Sequence, residues 1–224
     1  MLRYVAAFAF SVLGLTLCAQ QPWPDSLNTA KTATYLSPEE RNVILEMNKV
    51  RTNPKRYAQE VVAAMKKRFV DSESPLIYLK DDGRRIMTNE GVKAIDECVQ
   101  ELMRAKPVGM IYPSKGVWRA SHDHAKDQAS TGATGHSSKN GASPWDRMDK
   151  YGVRVGYAGE NVDYGNADGL GIVLSLLIDD GVPSRGHRHN IMSGNFRMAG
   201  VAIGPHPTYG FMCVIDYVTK FVDK

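Results

Sequence analysis

Apolar positions recur at helical spacing along the first part of the chain. Ser37–Pro38–Glu39–Glu40 opens one such run: Ser37 suits an N-cap, Pro38 the first helical position, and Glu40 closes a capping box. Val43, Ile44, Met47 and Val50 keep the spacing until Asn53–Pro54, where proline restrains the residue before it and ends the helix. Asn48 and Arg51 lie near that end. Tyr57, Val61, Val62 and Met65 predict a second, shorter helix, and Val92, Ile95, Val99, Leu102 and Met103 a third between Glu90 and Arg104. Residues 68–88 are charged and without period, which predicts a surface insertion, and Pro107–Pro113 reads as a loop. Gly116 to Ser130 predicts another long helix with Trp118, Ala125 and Ala129 inward, broken by Gly132 and Gly135. Leu170 to Ile178 (LGIVLSLLI) is apolar all round, a buried helix or strand whose flanking Asp–Gly steps suit a helix of three turns.

Alternation characteristic of strands comes late. Tyr157–Tyr164 is short and mixed. Met198–Gly204 and Phe211–Val218 flank a Pro–His–Pro–Thr–Tyr–Gly turn and predict a hairpin. Helices early and paired strands late predict an α+β fold, helices layered on an antiparallel sheet.

The N-terminus reads as an address. Arg3 is followed by an uncharged apolar run, Tyr4–Leu17, shorter than the roughly 20 residues a spanning helix needs, and then by Cys18–Ala19. Residues 1–19 are expected to be a signal peptide, directing the protein to the periplasm, cell surface or medium. Cys18 is the alternative, as a lipidation site that would tether the protein to a membrane. Residues 20–36, proline-broken and aperiodic, are expected to be a linker before a domain over 37–221.

Composition narrows the rest. Within 224 residues, a net charge of +4 without basic blocks predicts no nucleic-acid surface, and three cysteines make no disulfide framework. Whether Cys98 pairs with Cys213 is open at this level. No GxSxG, HExxH, Walker or dinucleotide motif occurs. His, carboxylate and glycine concentrate instead in three segments: Gly135–His136–Ser137, Ala158–Gly159–Glu160–Asn161, and Asp179–Asp180 through Gly186–His187–Arg188–His189. Glu160 stands in an uncharged stretch, where a carboxylate facing the core needs a cation or donors; the alternative is that it faces solvent from an edge strand. Asp179 and Asp180 follow the apolar run and face the negative end of a helix dipole, unless a cation, histidine or metal offsets them. His187 and His189, two apart, share a face only in an extended segment, and His122 and His124 fall on different faces of a helix.

Taken in order, GHS, AGEN and SRGHRHNIM before MAGVAIG resemble the bacterial branch of the CAP superfamily, the SCP-like extracellular domain of cysteine-rich secretory, antigen 5 and pathogenesis-related 1 proteins. EMNKVRTNPKRYA is similar to that family's first helix, and ASHDHAKDQASTGATGHSS to the helix before its first site histidine; the likeness runs from about Ser37 to Val218. The resemblance implies a three-layer α–β–α sandwich whose cleft has two histidines and two acids: His136, Glu160, His187 and, for the second acid, Asp179 or Asp180, with Asp180 preferred. The Trp that usually precedes that second acid is absent, as are the eukaryotic disulfides, and the insertions near 66–88 and 105–115 have no counterpart in the minimal domain. It further implies that His136 and His187, 51 residues apart, hold Zn²⁺ or another divalent cation, with the carboxylates orienting the rings. The expected function is a secreted module binding a peptide, glycan or lipid. The competing expectations are a metal-dependent hydrolase with Glu160 as general base and an envelope structural protein.

Overall fold

A computed structural model describes residues 21–70 and 74–224. The expected signal peptide and Cys18 lie outside the described residues. Helix α1 (Pro38–Thr52) starts as its sequence dictates: Ser37 accepts from the Glu40 amide at 3.2 Å, and Glu40 accepts from the Ser37 amide at 2.7 Å. Asn53, its C-cap, also caps α2 (Pro54–Tyr57), which continues through a π-helical turn and a 3-10 turn to Arg68. Then come the hairpin β1 (Ile77–Leu79) and β2 (Arg85–Met87), α3 (Val92–Arg104), β3 (Tyr112–Pro113), α4 (Lys115–Thr131) and α5 (Pro144–Asp149). The chain ends with β4 (Gly152–Tyr164), α6 (Gly169–Ile178), α7 (Gly186–Met192), β5 (Met198–His206) and β6 (Gly210–Asp223).

The main sheet has the order β3-β5-β6-β4. β6 pairs antiparallel with both neighbours, Val201 opposite Ile215 and Ala202 opposite Val214, and only the two-residue β3 runs parallel, on β5. α4 and α5 cover one face, while α1, α6 and α7 cover the other. This is an α–β–α sandwich with a mainly antiparallel sheet. Period-2 geometry splits β6 between the layers: Cys213, Ile215 and Tyr217 join the large core under α1 and α6, and Met212, Val214 and Val218 pack toward α4. α4 lies so close on β5 that a Cβ at Gly200 would come within 2.2 Å of the Trp118 amide nitrogen, a place only glycine fits.

Several expectations change. The stretch expected as a linker is packed from Trp23 onward: Leu27, Ala30 and Leu36 are buried, Trp23 meets Tyr57 edge-on at 6.2 Å, and the Leu27 carbonyl accepts from Asn48. Local aperiodicity hid this, because the packing partners are distant in sequence: Asn48 of α1, Tyr57 of α2 and Trp118 of α4. Within the charged insertion, Ile77–Leu79 and Arg85–Met87 pair as a hairpin whose Ile77 is buried, and Cys98 and Cys213 are both free, buried thiols. β4 runs 13 residues rather than eight, α5 was not foreseen, and His187 and His189 lie on helix α7.

Arg51 of α1, fully buried, ties the segment before β3 to the end of α7 and the turn after it. Its guanidinium donates to the carbonyls of Gly109 (2.8 Å), Ile191 (2.5 Å), Ser193 (3.0 Å) and Phe196 (2.9 Å). Asn48, one turn earlier, accepts from the Ile111 amide at 2.7 Å and donates to its carbonyl at 3.1 Å. Arg51→Met should strand several buried acceptors and cost about 3 kcal/mol or more. Urea unfolding followed by circular dichroism measures it, and a midpoint unchanged from wild type would refute the assignment.

Candidate functional site

The site is built around β4, an edge strand of the sheet. Glu160 sits on it, yet its side chain is only 2% exposed. It faces the α4–α5 layer, where its Oε1 accepts from His136 Nδ1 at 2.7 Å and its Oε2 from Arg147 of α5. An edge position therefore coexists with burial, because α5 folds over that strand. Arg147, itself buried, also donates to the His136 carbonyl (2.9 Å), Ser138 Oγ (3.1 Å) and the Ala142 carbonyl (3.1 Å), clamping the loop that carries His136. The same loop is pinned at Gly135: its carbonyl accepts from His124 Nε2 (2.9 Å) and Gln128 (2.7 Å), and its amide donates to Tyr164 Oη (2.9 Å). The His136 ring is left 54% exposed at the side chain. Its hydrogen bond to Glu160 holds it above the ordinary histidine value, against the opposing effect of partial burial.

His187 belongs to the other layer. Asp179 ends α6 in the left-handed conformation (φ 56°), uncommon for a residue with a side chain. That turn aims its carboxylate at α7: Oδ1 accepts from His187 Nδ1 at 2.7 Å and Oδ2 from the His187 amide at 3.0 Å. Arg185, also left-handed (φ 50°), closes the connection and donates to Glu90, Glu97 and the Asp179 carbonyl. The preference for Asp180 is thereby corrected. Asp180 turns away and accepts from the amides of Asn89 (2.6 Å) and Glu90 (2.8 Å), anchoring the segment before α3.

Two His–acid pairs thus flank β4, His136–Glu160 on one side and His187–Asp179 on the other. Asn161 and Asn190 connect them: Asn161 donates to the His187 carbonyl (3.1 Å), and Asn190 donates to Asn161 Oδ1 (2.9 Å) and the Glu160 carbonyl (3.3 Å). No group of three or more His, Cys, Asp or Glu side chains that could hold a metal occurs among the described residues. Sequence reasoning missed Arg147, His124, Gln128 and Tyr164. The capping box at Ser143 and Asp146, which announces α5, was the signal that could have pointed to Arg147.

A cavity of about 1090 Å³ opens beside the second pair, walled by the β1–β2 hairpin, α6 and the end of β4. His187, Asp179 and Asp163 line it. The insertion is therefore a cavity wall.

The family model of the cysteine-rich secretory protein family, CAP, matches residues 46–217. The chain belongs to this family. Among solved structures, an extracellular protein with an SCP domain from Bacillus anthracis str. Ames is 21% identical at a TM-score of 0.41, over 50% of this chain and 35% of that one. The chain thus spans about a third of the Bacillus protein's length. An outer surface protein from Borrelia burgdorferi is 13% identical at a TM-score of 0.42, over 52% of this chain and 80% of its own. No curated protein matches the chain.

Buried acids give this CAP domain a pH dependence of definite sign. Burial pushes Asp163 up to about 7, and burial together with neighbouring Glu160 raises Asp216 well above the carboxylate range. Ser121 donates to Asp216 at 2.8 Å. A carboxyl raised on folding stabilises most where it is protonated in both states, and that contribution fades as pH climbs through the folded value. Asp163→Asn should therefore flatten the decline of Tm between about pH 4 and pH 7. Scanning calorimetry across that range tests it; a slope equal to wild type would reject a protonated Asp163.

Proposed function

We propose that this CAP domain is an exported binding module whose His–acid site takes a ligand with the help of an exchangeable divalent cation. The observation behind this reading is that each imidazole spends Nδ1 on a buried carboxylate and keeps Nε2 for a ligand, as metal-ligating histidines do. His136 and His187 would supply the two imidazoles, and Zn²⁺ suits neutral nitrogen donors. Two protein donors fit a cation that completes its shell with water or the bound molecule, rather than a closed centre of four protein ligands. The bound molecule, a peptide, glycan or lipid, would lie in the adjoining cavity. Glu160 gives its two oxygens to Arg147 and His136, which supports a role in holding the ring over the general-base role that the hydrolase alternative requires.

Isothermal titration of Zn²⁺ into the full chain tests the cation. His136→Ala and His187→Ala should each abolish most of the heat, and Asp179→Asn should weaken binding about tenfold or more by freeing the ring it orients. Equal binding by wild type and both alanine variants would reject the site. Affinity should fall as pH drops, because a protonated imidazole cannot ligate, and the raised His136 value starts that fall at higher pH than an unperturbed ring would.

Export rests on the charged start, the apolar run Tyr4–Leu17 and the small residue Ala19. N-terminal sequencing of exported protein should begin near Gln20. Intact Met1 in the cytosol would overturn export, and a diacylated Cys18 would make the protein membrane-tethered.

A further inference from the structure

The cavity beside His187 differs in charge from the protein around it. The chain is net basic, yet the cavity's carboxylates outnumber its cations. Two of the cavity's cations are spent within the hairpin segment, Arg68 on Asp81 and Arg84 on Asp82, both at 2.8 Å. A third, Lys80, donates to uncharged groups, the Gly165 carbonyl (3.0 Å) and Asn166 Oδ1 (2.8 Å). The acids toward α6 are satisfied differently. Glu39 accepts from the Gly169 amide (2.9 Å), Asp168 from the Gly171 amide (2.7 Å), and Asp180 from the Asn89 and Glu90 amides. Backbone N–H groups fill lone pairs but bring no full positive charge, and Lys80, which acts on Asp163 and Asp168, is one cation against Glu39, Asp168 and Asp180, so a negative surplus faces the cavity.

Its walls are aromatic and aliphatic. Tyr209 and Phe211 stand at the rim, 48% and 47% exposed, with Tyr164 behind Tyr209 at a ring separation of 5.2 Å. Phe69 and Tyr78 form a second aromatic pair at 5.5 Å on the hairpin side, and Leu174 lines the α6 wall. Aromatic faces attract cations through their quadrupole, acids attract them through charge, and apolar walls accept a hydrocarbon stem. We propose that this cavity binds an ammonium group carried on an apolar stem, with the ammonium held between the aromatic rim and the carboxylates near α6. This deepens the binding-module reading and rests on it by naming the class of ligand the module takes. An anionic lipid would meet like charge, and a neutral glycan would leave the carboxylates uncompensated.

The test titrates three probes with one stem length into the full chain without added metal: octyltrimethylammonium, octanoate and octanol. The ammonium should bind about tenfold tighter than octanoate, and the difference should shrink with salt. Asp168→Asn keeps the helix cap while removing one charge and should weaken the ammonium about threefold, leaving octanol unchanged. Tyr209→Ala should weaken it by a similar factor of about three. Tyr157→Ala, exposed on β4 outside the cavity, should change nothing. A further arm, acetyl-Leu-Lys-Leu-amide, separates sources: binding of the peptide assigns a lysine side chain, and binding of octyltrimethylammonium alone assigns an amine-headed amphiphile. Either result upholds the ammonium. Equal affinity for all three octyl probes overturns the proposal while leaving a binding module. No ammonium binding, in protein that still takes Zn²⁺ at the two histidines, overturns it as well and leaves the His–acid site intact.

Discussion

Buried arginines set the shape of this molecule. Much of the chain between its helices and strands is irregular, and its inward carbonyls need donors that no regular ladder supplies. Arg51, Arg147, Arg185 and Arg188 provide them, each with up to five N–H groups in a fixed fork. Arg51 binds the segment before β3 to the end of α7 and the turn after it. Arg188 takes the Leu177 and Ile178 carbonyls at the end of α6 and pairs with Glu97 and Glu101 of α3. A guanidinium left without such acceptors would be costly in the core, so the loops and the arginines impose positions on one another.

The site inherits its geometry from this arrangement. Arg147 fixes both the loop of His136 and the carboxylate that orients its ring, so histidine and acid are positioned by one side chain. Arg185 performs the matching task across the molecule, holding the tight connection from α6 to α7 and with it the left-handed Asp179. That conformation costs energy in a residue with a side chain and persists because the surroundings determine it. The strain buys one thing, a carboxylate turned back to the first turn of α7, where it meets both the amide and the ring of His187.

Charge is handled differently in the two layers. On the α4–α5 side, Glu160 is ionically paired with Arg147, and burial, together with Glu160 across the strands, raises its neighbour Asp216 well above the carboxylate range. Like charges at that separation in a dry interior would be unfavourable, and raising one acid removes the conflict. On the other side, Glu97 and Glu101 pair with arginines, whereas Glu39, Asp168 and Asp180 are satisfied by amides and line the cavity. The thiols take no part in either: burial pushes Cys98 up to about 12 and raises Cys213 well above the usual thiol value, so both stay protonated and inert.

Features of short range were legible in the sequence. The capping box at Ser37, the stop at Asn53–Pro54, the apolar run of α6 and the hairpin of β5 and β6 involve residues a few positions apart, and local backbone chemistry specifies them. The ordered GHS, GEN and GHR segments likewise marked His136, Glu160 and His187 as a related set. The choice between Asp179 and Asp180 was not legible, because it turns on the φ of one residue and on which carboxylate finds the Asn89 and Glu90 amides, about 90 positions away. The burial of Glu160 on an edge strand depended on α5 lying over it, and the docking of residues 22–36 on contacts with α1, α2 and α4. Local propensity acts over a turn of helix or a pair of strand positions. Arg51 meets the Ile191 carbonyl across 140 positions, and only the completed packing of the layers brings such partners together.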